Sequence, residues 1–320
     1  MRIMVAEYAV GTGGDKGVSL LREGKAMLTT LRSGFERLDH EVVYPVAVRD
    51  FEAAVDKLSK ESDAGIVIAP DEKLCELTEV VESNTVNLGC PSECVKICAD
   101  KIQTTKILAE KGIPVPGIVS EEEMRRDDTR KRVFVKKPRY GCGSENVFIL
   151  NGKENREDIS FDDNHIVTEF IQGEDISSSV IAEDSFALPL TINKQFIRME
   201  QERLIYEGGL VPYLIERDAE KKIMSISKKV VAMLNCKGYV GIDFVLGDDG
   251  TAYVVDVNPR PTTSIVGIAR VLNYGVADLI LRAKFGTLPR EEEIKTEGCF
   301  TLKLTKTFLE NLIKEKGLNE

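Results

Sequence analysis

Gly241-Ile242-Asp243-Phe244-Val245-Leu246-Gly247-Asp248-Asp249-Gly250-Thr251-Ala252-Tyr253-Val254-Val255-Asp256-Val257-Asn258-Pro259-Arg260-Pro261 holds two apolar runs around a Gly-Asp-Asp-Gly cluster. Such runs joined by turn residues read as a β-hairpin. With the loop at Gly247 to Asp249/Gly250, Leu246 lies opposite Thr251, which sets Asp243 opposite Val254 and diagonal to Asp256. Strand alternation adds Asn258 to the same side. Asp243 and Asp256 interrupt otherwise apolar runs, where an unpaired carboxylate is costly to bury. Oxygen ligands without Cys or His suit Mg²⁺ or Mn²⁺, and Mg²⁺ combines one or two carboxylates with substrate phosphates. The stretch therefore points to a metal-nucleotide site, against the plainer reading of a half-exposed hairpin with polar ends.

The 320 residues are enough for two or three compact units. Apolar residues at 42% and charged ones at 30% describe a globular chain, with no apolar run long enough to span a bilayer. The first residues run straight into a strand pattern without the features of a signal peptide, so a cytoplasmic protein is expected. Seven cysteines, an odd number, fit reduced thiols better than a disulfide framework. A net charge of −10 argues against nucleic acid as the main partner. No membrane role is implied.

At the other end of the chain, residues 2–8 read as a strand, 11–17 as a glycine loop and 18–39 as a helix. The dinucleotide fingerprint fails, because the third glycine counted from Gly11 falls on Lys16. Strands at 40–46, 64–70 and 85–89, each followed by a helix, make a parallel α/β domain. Ligands gather at the carboxyl ends of such strands, which places Glu7, Tyr8 and the loop around Gly13 on the ligand side. Cys90, Cys94 and Cys98 share a helix face. A metal would need a fourth ligand and both histidines are distant in sequence, so buried small side chains are the better account.

A helix over the segment 99–116 stops at Gly112 before two prolines, and a charged stretch covers 120–132. Residues 133–138 then form a strand leading into Arg139-Tyr140-Gly141-Cys142-Gly143-Ser144. A lysine at a strand end before a glycine loop suits phosphate, since glycine lets backbone N–H groups approach closely. Residues 167–181 read as two strands broken at Gly173. Helices are expected at 219–235, 262–272 and 276–284, and a last strand at 298–304 precedes a charged terminal helix.

The order of these features resembles the ATP-grasp superfamily: Asp100-Lys101, Lys137-Pro138 with Gly141-x-Gly143-Ser144, Glu169-Phe170-Ile171-x-Gly173-Glu174-Asp175, Asp243, and Asp256-x-Asn258-Pro259-Arg260. The resemblance covers residues 1–285 at least. It implies an α/β fold, α+β in its C-terminal part, with a Rossmann-like parallel-sheet domain at 1–99, a lid subdomain with its lead-in helix at 100–172 and an antiparallel-sheet subdomain at 173–320. It implies ATP and two Mg²⁺ or Mn²⁺ ions held by Asp243, Asp256 and Asn258. Lys101 and Lys137 look like phosphate lysines, and Gly141, Cys142, Gly143 and Ser144 like the loop over the terminal phosphates. Glu169 and the backbone of Phe170 and Ile171 would lie at adenine, Asp175 or Glu174 at the ribose, and Arg260 at the transferred oxygens.

The implied reaction is attack of a carboxylate on the γ-phosphate of ATP, then displacement of the acyl phosphate by an amine. Two departures stand out: Gly241 replaces an arginine found in D-alanine ligases, and Asp256 stands where glutamate is commoner. Within the superfamily, Glu7-Tyr8 with its glycine loop, Asn193-Lys194-Gln195, the 206–212 segment and Asn-Pro-Arg-Pro-Thr-Thr look most like archaeal carbon–nitrogen ligases of methanofuran synthesis. That resemblance implies glutamate and tyramine as small-molecule substrates, makes a homodimer possible, and makes Glu7, Tyr8, Gly13, Lys194, Tyr206 and Gly209 candidates for substrate contact. The alternatives are another amino-acid or purine-pathway ligase, or an ATP-binding module without turnover.

Overall fold

The computed structural model describes residues 1–14, 18–124, 132–141, 146–150, 162–184, 186–305 and 307–308. The sequence starts with a parallel layer. Strands β1 (Arg2–Glu7), β2 (Glu41–Val43), β3 (Ala64–Ile68) and β4 (Val86–Asn87) align in the order β2-β1-β3-β4, all pairs parallel. Between and after them come helices α1 (Tyr8–Gly11), α2 (Val18–Glu36), α3 (Phe51–Lys60), α4 (Asp71–Asn84) and α5 (Ser92–Ala99). β1 and β3 are buried almost end to end, as expected of strands covered by helices on both faces.

Asp100 joins α5 to α6 (Lys101–Glu110) and caps the second helix by accepting from the amides of Ile102 and Gln103. The short α7 (Glu121–Met124) precedes a small antiparallel unit of β5 (Phe134–Pro138), β6 (Phe148–Leu150) and β7 (His165–Glu169). This unit has a core of its own: Val119, Met124, Phe134, Leu150 and Val167.

The large sheet continues through β8 (Gly173–Ala182), β9 (Ala187–Glu200), β10 (Arg203–Val211), β11 (Gly238–Gly247) and β12 (Ala252–Asn258), in the order β12-β11-β8-β9-β10-β6-β5-β7. Helix α8 (Arg217–Met233) precedes β11, helices α9 (Ile265–Val271) and α10 (Val276–Phe285) follow β12, and β13 (Phe300–Lys303) pairs with β10. The sequence analysis left β9 and β10 unassigned. The two main cores each mix the halves of the chain: Ile3 and Leu31 cluster with Ile265 and Leu279, while Met4 and Ala6 cluster with Val240 and Phe244. The parallel layer is thus welded to the C-terminal sheet, and the β5–β7 unit has a separate core of five buried side chains among the described residues.

The hairpin register differs from the expected one. Asp243 lies directly opposite Asp256, and Phe244 opposite Val254. The pairing is already offset by one at the turn, where Leu246 faces Ala252 instead of Thr251, and Val255, the extra residue of a β-bulge, adds the second residue of offset. The bulge leaves the Val255 carbonyl outside the ladder, where Lys137 Nζ donates to it at 2.7 Å.

Candidate active site

A cavity of about 370 Å³ opens between the β5–β7 unit and the β11–β12 hairpin. Its lining includes Lys101, Lys137, Gly141, Glu169, Phe170, Ile171, Asp175, Tyr206, Asp243, Asp256, Asn258 and Arg260. Residues from position 101 to position 260 therefore meet on one surface. Cys142, Gly143 and Ser144 lie outside the described residues.

The metal-type face comes from β11 and β12. Asp243 accepts from Gln195 Nε2 at 2.8 Å and from Asn258 Nδ2 at 3.0 Å. Burial, with the Asp256 carboxylate alongside, pushes its acid up to about 7 despite those two donors. Asp256 Oδ1 accepts from the Val257 amide, and Oδ2 lies 3.6 Å from Lys101 Nζ. Two half-buried carboxylates side by side with an amide oxygen make an all-oxygen donor set, and a divalent cation would remove their mutual repulsion.

The cationic groups come from separate elements. Lys101 Nζ donates to the Gly141 carbonyl at 2.7 Å and to Asp71 Oδ2 at 3.0 Å, joining α6, α4 and the end of β5. Burial lowers Lys137 from the ordinary lysine range, with Asp256 opposing the shift. Arg139 holds Asp100 through two nitrogens, at 2.9 and 2.5 Å, and its charge keeps that acid below the usual carboxylate range. The same Asp100 caps α6, so the phosphate-type loop and the Lys101 helix are registered by one side chain. Arg260 is 9% exposed, and its Nε has no hydrogen-bond partner among the described residues. That Nε is closed off from solvent and the other two nitrogens donate to the Pro261 carbonyl and to Asn258, so what Arg260 offers the cavity is its positive charge. Next to it, a Cβ at Gly241 would come within 2.6 Å of Thr262 Cγ2, so no side chain shares that corner.

Of the two candidate ribose acids, Asp175 lines the cavity and burial raises its acid. Glu174 points elsewhere, accepting from the Tyr213 hydroxyl at 2.9 Å and lying 3.5 Å from Lys194. The Phe170 amide already donates to the Val133 carbonyl.

The candidate substrate residues divide. Tyr206 lines the cavity and burial raises its phenol. Glu7, Tyr8, Gly13, Lys194 and Gly209 are not among the lining residues. Glu7 caps α1 through the Val10 amide at 2.7 Å, Tyr8 packs edge-on against Phe51, and Gly13 has φ of 75° beside Ala47. Lys194 misses by one residue: alternation along β9 sends its neighbour Gln195 to Asp243. Asp71, Glu23 and Thr263 were also missed. Asp71 begins the helix after β3, a strand-end position that could have drawn attention, whereas nothing around Glu23 in sequence marks it. Glu23 and Thr263 line the cavity and are joined by a 3.1 Å hydrogen bond.

The ATP-grasp domain family matches residues 98–264, and the chain belongs to that family. It is an ADP-forming carbon–nitrogen ligase of the ATP-grasp type. In particular, it is similar to tyramine–L-glutamate ligase of Methanocaldococcus jannaschii, at 30% identity over 308 residues and 88% of each chain. An ATP-grasp superfamily protein from Archaeoglobus fulgidus superposes with a TM-score of 0.71 at 28% identity, covering 88% of each chain. The biotin carboxylase domain of Hydrogenobacter thermophilus 2-oxoglutarate carboxylase, solved with MgADP, shares the fold with a TM-score of 0.73 at 13% identity, over 92% of this chain and 73% of that one. Among the described residues, no helix is long and apolar enough to cross a membrane.

Proposed function

We propose that the protein joins the side-chain carboxylate of L-glutamate to the primary amine of tyramine, with ATP converted to ADP and phosphate. The reading is carried by the facing carboxylates of Asp243 and Asp256 on the cavity wall with Asn258 beside them, together with the similarity to tyramine–L-glutamate ligase over 88% of each chain.

ATP lies in the cavity with its adenine at the 169–171 turn. Phe170 has spent its amide, so backbone donation to the base falls to Ile171, and Asp175 takes the ribose hydroxyls. Asp243, Asp256 and Asn258 hold the divalent ions, Mg²⁺ or Mn²⁺ and two in number. These ions, when bound, screen the phosphate charge. Lys101 and Lys137 neutralise the phosphates from the other side. Arg260, on the cavity wall, brings its positive charge to the oxygens of the carboxylate under attack, and with Gly241 offering no side chain it does so alone. No side-chain nucleophile is required.

Glu23, joined to Thr263 at the cavity wall, is the acid that meets the incoming amine, a role for which Glu7 is misplaced. Tyr206 supplies an aromatic wall for the tyramine ring. The lid is the β5–β7 unit, between the parallel domain ending at residue 99 and the C-terminal subdomain starting at residue 173.

The test is mass spectrometry of the purified protein with ATP, Mg²⁺, glutamate and tyramine. Glutamyl-tyramine with equimolar ADP is expected. If another amine or amino acid drives phosphate release and no glutamyl-tyramine forms, the substrate assignment fails while the ligase class stands.

A further inference from the structure

Between Leu88 and Ile102 of the sequence, Cys90, Cys94 and Cys98 recur every fourth position. The fold brings a fourth sulfur to them from far away. Cys236 follows α8, and its Sγ lies 3.1 Å from Cys94 Sγ, which is itself 3.9 Å from Cys98 Sγ. The sulfurs of Cys90, Cys94 and Cys236 all lie within 4.8 Å of one another, and Cys236, Cys90 and Cys98 all approach the Cys94 sulfur. All four residues are buried, at 1 to 3% exposure, and none lines the ligase cavity.

We propose that Cys90, Cys94, Cys98 and Cys236 form a closed tetrahedral thiolate site for one structural Zn²⁺ ion. Four sulfurs about 2.3 Å from a central zinc stand about 3.8 Å apart; the Cys94–Cys98 pair is at 3.9 Å, the 3.1 Å Cys94–Cys236 pair would open on binding, and Cys98, which stands outside the group of Cys90, Cys94 and Cys236, would move in as the fourth ligand. Thiolates select zinc over the hard cations of the ATP site, and four protein ligands leave no open position for chemistry. Three thiols within 4.8 Å of one another leave space for one ion and not for a multi-iron cluster. A Cys94–Cys236 disulfide would use two sulfurs and leave the convergence of Cys90 and Cys98 on the same point without a purpose. The hydrogen bond from Cys90 Sγ to the Lys237 carbonyl is the one the ion replaces.

The location gives such an ion a mechanical role. The turn after α8 is pressed against the strand-to-helix connection of the parallel layer: Gly238 has φ of 69°, and a Cβ there would come within 2.7 Å of the Leu88 carbonyl. Gly238 opens β11, the strand that carries Asp243, and α5 ends at Asp100, which caps the helix of Lys101. An ion here staples the root of the metal-acid strand to the helix pair that holds a phosphate lysine.

The experiment uses the full chain purified under reducing conditions. Elemental analysis after dialysis against EDTA is expected to find one zinc per chain. Exchange with Co²⁺ should give intense sulfur-to-cobalt charge-transfer absorption in the near ultraviolet with tetrahedral ligand-field bands in the visible, a readout that activity does not influence. Cys94→Ser and Cys236→Ser should each lose the ion, and Cys299→Ser, at an exposed thiol, should keep it. Because a ligand variant can fail to fold, the wild-type cobalt spectrum decides. Protein that holds no stoichiometric thiophilic metal and shows no charge-transfer band with Co²⁺ overturns the proposal, as does a Cys94–Cys236 disulfide in peptide mapping of the reduced preparation.

Discussion

The two walls of the cavity are built to different standards. The β11–β12 wall is backed by the large mixed core, with Val240, Ile242 and Phe244 fully buried, and its acids are held by Gln195, Asn258 and the Val257 amide. Among the described residues, the β5–β7 wall rests on five buried apolar side chains and on the Asp100–Arg139 pair. On the proposed reading, the stiff wall holds groups that must be placed to a fraction of an ångström for charge to be stabilised, and the other wall holds Lys137, whose position would follow the phosphates. Division of labour between the walls therefore follows from how much core each one has.

The largest effect is expected on the stiff wall. Asp256→Asn keeps shape and removes charge, so ATP turnover should fall by about 10³-fold or more while the circular dichroism spectrum stays as in the wild type. Measurable turnover within about tenfold of wild type would remove Asp256 from the metal set. Lys137→Ala on the lid wall should instead raise KM for ATP more than it lowers kcat, the split that separates binding from chemistry.

A pair of truncations sharpens the comparison. Phe244→Ala and Phe134→Ala each remove a fully buried ring, a change that costs about 3–5 kcal/mol. Phe244 belongs to the shared core, so its loss should lower the global melting temperature by about 2–4 °C per kcal/mol. Phe134 belongs to the lid core alone; its loss should leave the main transition near wild type while hydrogen exchange at 134–138 accelerates and loses its protection by ATP and Mg²⁺. Equal shifts in the main transition for both variants would show that the lid is not a separate unit.

These expectations locate what sequence could disclose. That Asp243, Asp256, Asn258 and Arg260 come together on one cavity was legible because carboxylates inside apolar strand runs need partners and because their order along the chain is distinctive. The register was not, since a bulge at Val255 has no mark in an unbroken Val-Val-Asp-Val run. The Asn193-Lys194-Gln195 resemblance names Lys194, although the period of a strand decides which neighbour faces inward, and it is Gln195 that reaches Asp243. Glu23 and Cys236 were invisible for another reason: each meets its partners through tertiary contacts over 140 residues away in sequence.

Glu7 gives a smaller and purely thermodynamic test, set in the parallel layer behind the site. Burial raises its acid to about 7 from 4.5, and its carboxylate packs against Gly24 where a Cβ would overlap it. The folded state holds the proton more tightly than the unfolded chain. The stabilising contribution is therefore full below pH 4.5, declines between 4.5 and 7, and is absent above 7. Its size is about 3 kcal/mol. In urea titrations, wild type should lose stability relative to Glu7→Gln by about that amount between about pH 5 and pH 8, as proton linkage requires of a carboxyl whose folded-state affinity for the proton is raised. Parallel curves for the two proteins would mean that Glu7 is ionised in the fold.

The smallest expected effect separates two neighbouring acids on β8. Asp175 faces the cavity with Gly173 and Ser177 on the same side of the strand, whereas Glu174 faces the Tyr213 hydroxyl and Lys194. A carboxylate that accepts two ribose hydroxyls contributes hydrogen bonds of about 1–2 kcal/mol each, because charge strengthens the acceptor. Asp175→Asn retains one acceptor oxygen and should raise KM for ATP by roughly tenfold, the equivalent of about 1.4 kcal/mol. Glu174→Gln breaks only an exposed ion pair and should change KM by less than about twofold. The same pair assayed with 2′-deoxy-ATP gives the sharper reading: the wild type should lose affinity for the deoxy nucleotide, and Asp175→Asn should lose little more. If Glu174→Gln produces the larger defect, or if Asp175→Asn discriminates between ATP and its deoxy form as strongly as the wild type does, the ribose is held elsewhere and strand alternation on β8 has been misapplied to the nucleotide.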